Sequence, residues 1–191
     1  MRILGIDQGP EISGYAEIDE LLNVNKIGVF ENDHILSLIG MTTVQPAVLF
    51  IEHFVNYGFG VGATTFEAIE WGGRFKQRMY DLDVPVEVEH LTNRQWALQL
   101  TGNQQAKATQ LKAGVLSVFP KDAEKGQKKC TECHGKGWKG RDHDDCEACL
   151  GTGIGRYPGP LSECRTHAWD ALGIALAGWD RRNVGFLEGL R

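Results

Sequence analysis

Apolar positions along this chain fall into short runs whose period changes from segment to segment. Arg-Ile-Leu-Gly-Ile at 2–6 is a buried-strand run that ends on Asp7, and Gln8-Gly9-Pro10 reads as a turn. Residues 13–18 alternate and predict a second strand, and 25–30 predict a third, which makes a meander. A short helix is expected over 32–42. Ala-Val-Leu-Phe-Ile at 47–51 is continuously apolar, the pattern of a central strand covered on both faces, and it ends on Glu52. Glycines make 58–62 a flexible loop. Residues 64–82 have helical period, with Phe66, Ile69, Phe75 and Met79 on or near one face. A strand is expected over 84–88. Thr92 then caps a helix that carries Trp96, Leu98 and Leu100 and stops at Gly102. A further helix is expected over 104–118, stopped by Pro120, and a last one from Ser162 through His167, Asp170, Leu172, Ile174 and Leu176. Three strands, helix, strand, helix, strand and helices, in that order, predict a mixed α/β sheet with helices packed on it.

One stretch breaks this patterning. Residues 123–160 are rich in glycine, lysine and cysteine and show no core period. They hold two CxxC pairs, Cys130 with Cys133 and Cys146 with Cys149, each running into glycines as Cys-His-Gly-Lys-Gly and Cys-Leu-Gly-Thr-Gly. Two such knuckles complete a tetrahedral four-cysteine site for a structural Zn2+. His134 and His143 are nearby alternatives to one of the cysteines. A segment this poor in core residues needs the metal to fold. The organisation expected is a main domain of 1–122 and 162–191, with a zinc-binding insert over 123–161. The fifth cysteine, Cys164, is left as a reduced thiol.

Length and charge refine this picture. A chain of 191 residues, 42% of them hydrophobic, suits one core-bearing domain plus a small module. No apolar run approaches the roughly 18 residues of a membrane span, and the first segment meets an acid too early for a signal peptide, so a cytoplasmic protein is expected. The net charge of −5 argues against a nucleic-acid partner, but the charge is uneven. Residues 125–141 carry six basic residues (Lys125, Lys128, Lys129, Lys136, Lys139, Arg141) and one acid, and Arg74, Lys76 and Arg78 form a second basic group. Local patches of this kind bind phosphate whatever the total charge, although lysine-rich loops are as often merely solvated.

Asp7 and Glu52 both end buried strands, and His167 and Asp170, three apart on a helix, share a face. Taken singly each has an ordinary explanation: a turn former, a strand end, a surface histidine. Together they group like charges at a cost that bound divalent cations would offset. Two hard ions about 3.5–4 Å apart, held by carboxylate oxygens, are the apparatus of in-line phosphodiester hydrolysis.

Ile-Leu-Gly-Ile-Asp-Gln-Gly-Pro with Ser-Gly-Tyr-Ala, Leu-Phe-Ile-Glu-His-Phe, and His-Ala-Trp-Asp-Ala-Leu-Gly-Ile-Ala together resemble the RuvC family of Holliday junction resolvases, over roughly residues 1–120 and 162–180. The resemblance implies an RNase H-like mixed five-stranded sheet flanked by helices. It also implies a homodimer that cuts four-way DNA junctions with two Mg2+ or Mn2+ ions per active site and needs no small-molecule cofactor. Carried over by motif, Asp7, Glu52, His167 and Asp170 are the catalytic metal ligands. Lys107 and Lys112 match the family's phosphate-binding basic residues, and Phe54 and Tyr57 are candidates for the aromatic that probes the junction centre. Arg74, Lys128, Lys129 and Lys136 join them as candidate DNA contacts from the basic patches.

The chain also departs from the family. The stretch between Asp7 and Glu52 is short, and Gln8 and Pro10 replace the commoner proline and serine. The cysteine-rich insert is foreign to the family and is similar instead to the CxxCxGxG repeats of DnaJ-type chaperones, without their HPD tripeptide. Small diverged resolvases of this kind resemble phage versions, which would place the protein in a host cytoplasm. Two other readings stay open: an RNase H-like nuclease acting on RNA–DNA hybrids, and a non-catalytic zinc-containing nucleic-acid-binding module.

Overall fold

Strand β1 (Arg2–Asp7) has five of its six residues buried and forms the centre of the sheet. The computed structural model describes residues 1–41, 46–55, 58, 60–120, 123–125, 128–129, 134, 136, 138–139, 144–145, 154–156, 159–162 and 164–183. β2 (Ile12–Asp19) and β3 (Val24–Glu31) continue from β1 as an antiparallel meander. Helix α1 (Asn32–Gly40) then leads into β4 (Ala47–Glu52), which returns parallel to β1 on its other side. α2 (Ala63–Tyr80) crosses to β5 (Val86–Leu91), parallel to β4. The sheet order is β3-β2-β1-β4-β5. α3 (Asn93–Thr101), α4 (Ala108–Ser117) and α5 (Thr166–Arg182) complete this unit. It is the mixed five-stranded sheet flanked by helices that the sequence predicts.

The two faces of the sheet are packed differently. One carries Leu4, Ile6, Leu49 and Ile51 against Ile35, Ile39, Phe75 and Met79 of α1 and α2. On the other, α5 lies directly on the backbone of β1 and β2. A Cβ on Gly5 would come within 2.1 Å of the Ala171 carbonyl oxygen, and one on Gly14 within 2.1 Å of the His167 carbonyl oxygen. Glycine at these two positions lets helix and strand backbones approach with no side chain between them.

Several expectations shift. β5 spans 86–91 rather than 84–88, because Pro85 contributes only its carbonyl, accepting from Ala47 N at 3.1 Å, and the ladder begins at Val86. Glu87, Glu89 and His90 disguised the rest, as charges on an edge strand do. α4 starts at Ala108, not 104: Asn103 Oδ1 accepts from Gln105 N at 2.9 Å and holds a turn before the helix. α5 starts at Thr166 rather than Ser162, since Arg165 is extended. α1 ends at Gly40, ahead of the expected 42. On α2 the buried stripe is Ala68, Gly72, Phe75 and Met79, while Phe66 and Ile69 are 62% and 45% exposed. Leu98 of α3 is likewise exposed, though Trp96 and Leu100 are buried. The α3 cap is as predicted: Thr92 and Gln95 form a capping box, and Gly102 ends the helix at φ 73°.

The chain divides into two units, Met1–Phe119 with Cys164–Arg191, and Pro120–Glu163. In the second, β6 (Lys128–Lys129) pairs antiparallel with β9 (Ile154–Arg156), and β7 (Trp138–Lys139) with β8 (Asp144–Asp145). Gly159 N donates to Lys125 O and Leu161 N to Ala123 O, tying the ends of this unit together. The proposed zinc ligands Cys130, Cys133, Cys146 and Cys149, and His143, lie outside the described residues, as does Tyr57.

Candidate active site

Parallel pairing decides where the acids meet. Gly5 is in register with Phe50 and Ile6 with Ile51, so Asp7 and Glu52, each one residue beyond Ile6 and Ile51, emerge at the same sheet edge on the same face. That face is the one α5 covers. The close approach at Gly14, which pairs with Asp7 in the β1–β2 ladder, sets the first turn of α5 against the end of β1. His167 Nδ1 lies 2.7 Å from Asp7 Oδ2. Asp170, one turn further on, joins them: Asp7, His167 and Asp170 offer ligand atoms all within 4.8 Å of one another. Glu52 shares a side-chain hydrogen bond with Asp7 and another with Asn93 at the start of α3. All four residues singled out in the sequence therefore come together.

The cluster is electrostatically tense. Burial raises the Asp7 pKa above the ordinary carboxylate range, against the pull of His167 and Glu52. Glu52 is pushed up to about 8, first by burial and then by the negative charges of Asp7 and Asp170. Asp170 rises to about 6 through burial and the charge of Asp7, with His167 acting the other way. Carboxylates held this close resist ionising together, and a bound cation would relieve them. Oxygen-rich donors with one imidazole fit hard divalent ions such as Mg2+ or Mn2+. The residues present thus suit the metal the sequence implies.

Hydrogen bonds behind the acids hold the first turn still. Gly9 N donates to Ser13 Oγ at 3.0 Å, Ser13 in turn donates to Asn32 Oδ1, and Asn32 Nδ2 donates to Gly9 O at 3.1 Å. Gln8 Nε2 donates to the Glu52 carbonyl at 2.7 Å and so links the two acid-bearing strand ends. Sequence reasoning passed over Ser13, Asn32 and Asn93. The available signal was a polar residue opening a helix just after a strand, which occurs at both Asn32 and Asn93.

The other candidates are more dispersed. Lys112 sits on α4 with its Nζ 4.6 Å from the centre of the Trp169 ring, and the two line a hollow of about 380 Å3 beside His167 and Asp170. Lys107 is not on the helix but is the exposed residue preceding it. Phe54, 36% exposed, lines a cleft beside Glu52. Arg74, Lys76 and Arg78 do not form one basic group. Arg74 pairs with Glu70 at 2.6 Å and covers Trp71, Lys76 lines the cleft beside Glu52, and Arg78 reaches the Leu36 carbonyl. Lys128, Lys129 and Lys136 are exposed on the second unit. Cys164 is a free thiol, and burial raises it to about 12. No helix among the described residues is long and apolar enough to cross a membrane.

Two solved structures share this architecture along nearly the full length of both partners. Thermus thermophilus RuvC matches with a TM-score of 0.58 at 15% identity, covering 96% of this chain and 96% of its own. T. thermophilus RuvC in complex with Holliday junction substrate matches with a TM-score of 0.58 at 14% identity and the same coverage. The fold is RuvC-like, and so RNase H-like. No protein-family model and no curated protein matches the sequence.

Proposed function

We propose that this chain is a divalent-metal-dependent endonuclease that cuts branched DNA, Holliday junctions included, as a homodimer. The observation that carries the reading is the convergence of Asp7, Glu52, His167 and Asp170 on one sheet edge of a RuvC-like fold. A solved structure of similar fold holds a Holliday junction, which supports branched DNA as the substrate. Asp7, Glu52, His167 and Asp170 would hold Mg2+ or Mn2+, which when bound supplies Lewis-acid stabilisation of phosphoryl charge and a more acidic water. Asp7 is the central ligand, since it touches both His167 and Glu52. His167, half exposed, is fixed by Asp7 at Nδ1, which leaves Nε2 as the nitrogen that would ligate the ion. Lys112 attracts the strand's phosphates toward this edge, and Phe54 meets bases beyond Glu52. Paired active sites in a two-fold dimer give symmetric nicks.

The second unit carries a structural Zn2+ held by the four thiolates of Cys130, Cys133, Cys146 and Cys149, and its exposed lysines make DNA contacts of their own. Its removal (residues 125–158) weakens junction binding more than it slows cleavage of bound junction; equal binding by deleted and intact protein removes that role. The insert and the trimmed β1–β4 connection accord with a phage-type resolvase acting in a host cytoplasm.

The deciding experiment is cleavage of a synthetic four-way junction beside linear duplex and RNA–DNA hybrid in Mg2+, with wild type, Asp7→Asn and Glu52→Gln. Paired nicks confined to branched DNA, lost in both variants with binding retained, support the reading. Cutting of the hybrid moves the function to RNA, and binding without cutting leaves a non-catalytic module.

A further inference from the structure

Trp169 stands in the sequence between two members of the acid cluster, His167 and Asp170, but does not share their face of α5. At 3.6 residues per turn its side chain leaves the helix about 100° away from that of Asp170. This turns the ring toward α4, where Lys112 Nζ lies 4.6 Å from the ring centre. Both side chains are half-buried, and both border the hollow that His167 and Asp170 also line. The buried residues of α5 include the neighbours Ala168 and Ala171 but not Trp169, so the core does not demand a ring of this size here.

The neighbourhood poses a conflict that the ring can resolve. Asp170 lies beside the hollow, with Asp7 and Glu52 behind it, and carboxylates crowded in this way attract any cation within reach. A lysine ammonium on its flexible four-carbon stem is such a cation. Once inside the cluster it would neutralise the oxygens that a divalent ion needs. In the structure the ammonium rests over the indole instead. The charges acting on Asp170 are those of Asp7 and His167, whereas the Lys112 charge acts on the Cys164 thiol. Among aromatic faces, that of tryptophan holds a cation best.

We propose that Trp169 is a positioning residue: its ring restrains the Lys112 ammonium from entering the acid cluster, which keeps Asp170 open to the divalent ion and keeps the lysine facing DNA. This rests on the endonuclease reading above. The lysine then serves phosphate without competing with the metal, two tasks that conflict wherever a flexible cation borders a carboxylate site.

The test is Mn2+ binding to the full-length chain without DNA, read by electron paramagnetic resonance, with Asp7→Asn setting the background. Trp169→Leu should weaken Mn2+ binding by roughly 2- to 30-fold, the worth of the lost cation–π contact. Trp169→Phe, which keeps a ring, should lose less. Adding Lys112→Met to Trp169→Leu should restore wild-type affinity, because no ammonium remains to compete. Lys112→Met alone should bind Mn2+ at least as tightly as wild type. A tryptophan that merely packs α5 against α4 predicts a loss that persists in the double variant, and that result would overturn the proposal. So would unchanged Mn2+ affinity in Trp169→Leu. Weaker Mn2+ binding by Lys112→Met alone would overturn it as well, and that variant decides the matter even if Trp169→Leu does not fold. In each of these cases a chain that still cuts junctions keeps the endonuclease reading, whereas a wild type that binds no Mn2+ above background removes both.

Discussion

Gly14→Ala adds one methyl group and should reach the active site through the backbone. The new Cβ would lie 2.1 Å from the His167 carbonyl oxygen and 3.1 Å from Ala168 N, both main-chain atoms of α5 that cannot rotate away. Restoring a carbon–oxygen contact of about 3.3 Å requires the first turn of α5 to retreat by roughly 1 Å. The His167–Asp7 contact, now 2.7 Å, would then exceed the ~3.2 Å limit of a good hydrogen bond. Overpacking of this kind costs about 1–3 kcal/mol, which in a chain of this size lowers the melting temperature by roughly 2–12 °C. Misplacing a reacting group by about 1 Å costs on the order of 100-fold in rate. Thermal melts followed by circular dichroism and single-turnover junction cleavage read the two effects separately. Gly28→Ala is the control: its Cβ would approach only the ring tip of Phe30, a side chain that can rotate. If Gly14→Ala melts and cuts like wild type, helix–strand backbone contact is not what positions His167.

Other consequences are open to direct measurement. In chelator, stability should fall as pH rises from about 4.5 to about 8. Folded Glu52 titrates near 8 and Asp170 near 6, against ordinary values of 4.5 and 3.8, so across that window the folded state holds protons the unfolded state has released. Mg2+ or Mn2+ should restore the melting temperature most at the alkaline end, and a pH-independent metal effect would contradict the charge-repulsion account. Asn32→Ala leaves the Gly9 carbonyl and the Ser13 hydroxyl without their buried partner; urea unfolding should show a loss of roughly 2–4 kcal/mol, and cleavage should slow as the turn after Asp7 loosens. Purified protein should carry one Zn2+ per chain that survives dialysis against Mg2+, and Cys130→Ser combined with Cys146→Ser should lose it, as read by atomic absorption.

What was legible in the sequence follows from which forces are local. β1 and β4 could be read because both are continuously buried, and a carboxylate closing each run is conspicuous. His167 and Asp170 were readable as a pair because helical spacing alone puts them on one face. The features that turn these four residues into a site are non-local. Gly5 and Gly14 look like weak points in strands until α5 is seen against them, since a glycine carries no mark of the neighbour it admits. Asn32 reads as an ordinary first residue of a helix, yet its side chain reaches back 23 positions to Gly9. The buried stripe of α2 runs through Ala68 and Gly72, so hydrophobicity pointed to the larger Phe66 and Ile69, which stay exposed. Gln8 stood out in the sequence only as a departure from a motif. The fold explains half of that departure, through its bond to the Glu52 carbonyl. Gln8 Oε1 is buried with no hydrogen-bond partner among the described residues, a cost the sequence pattern does not announce.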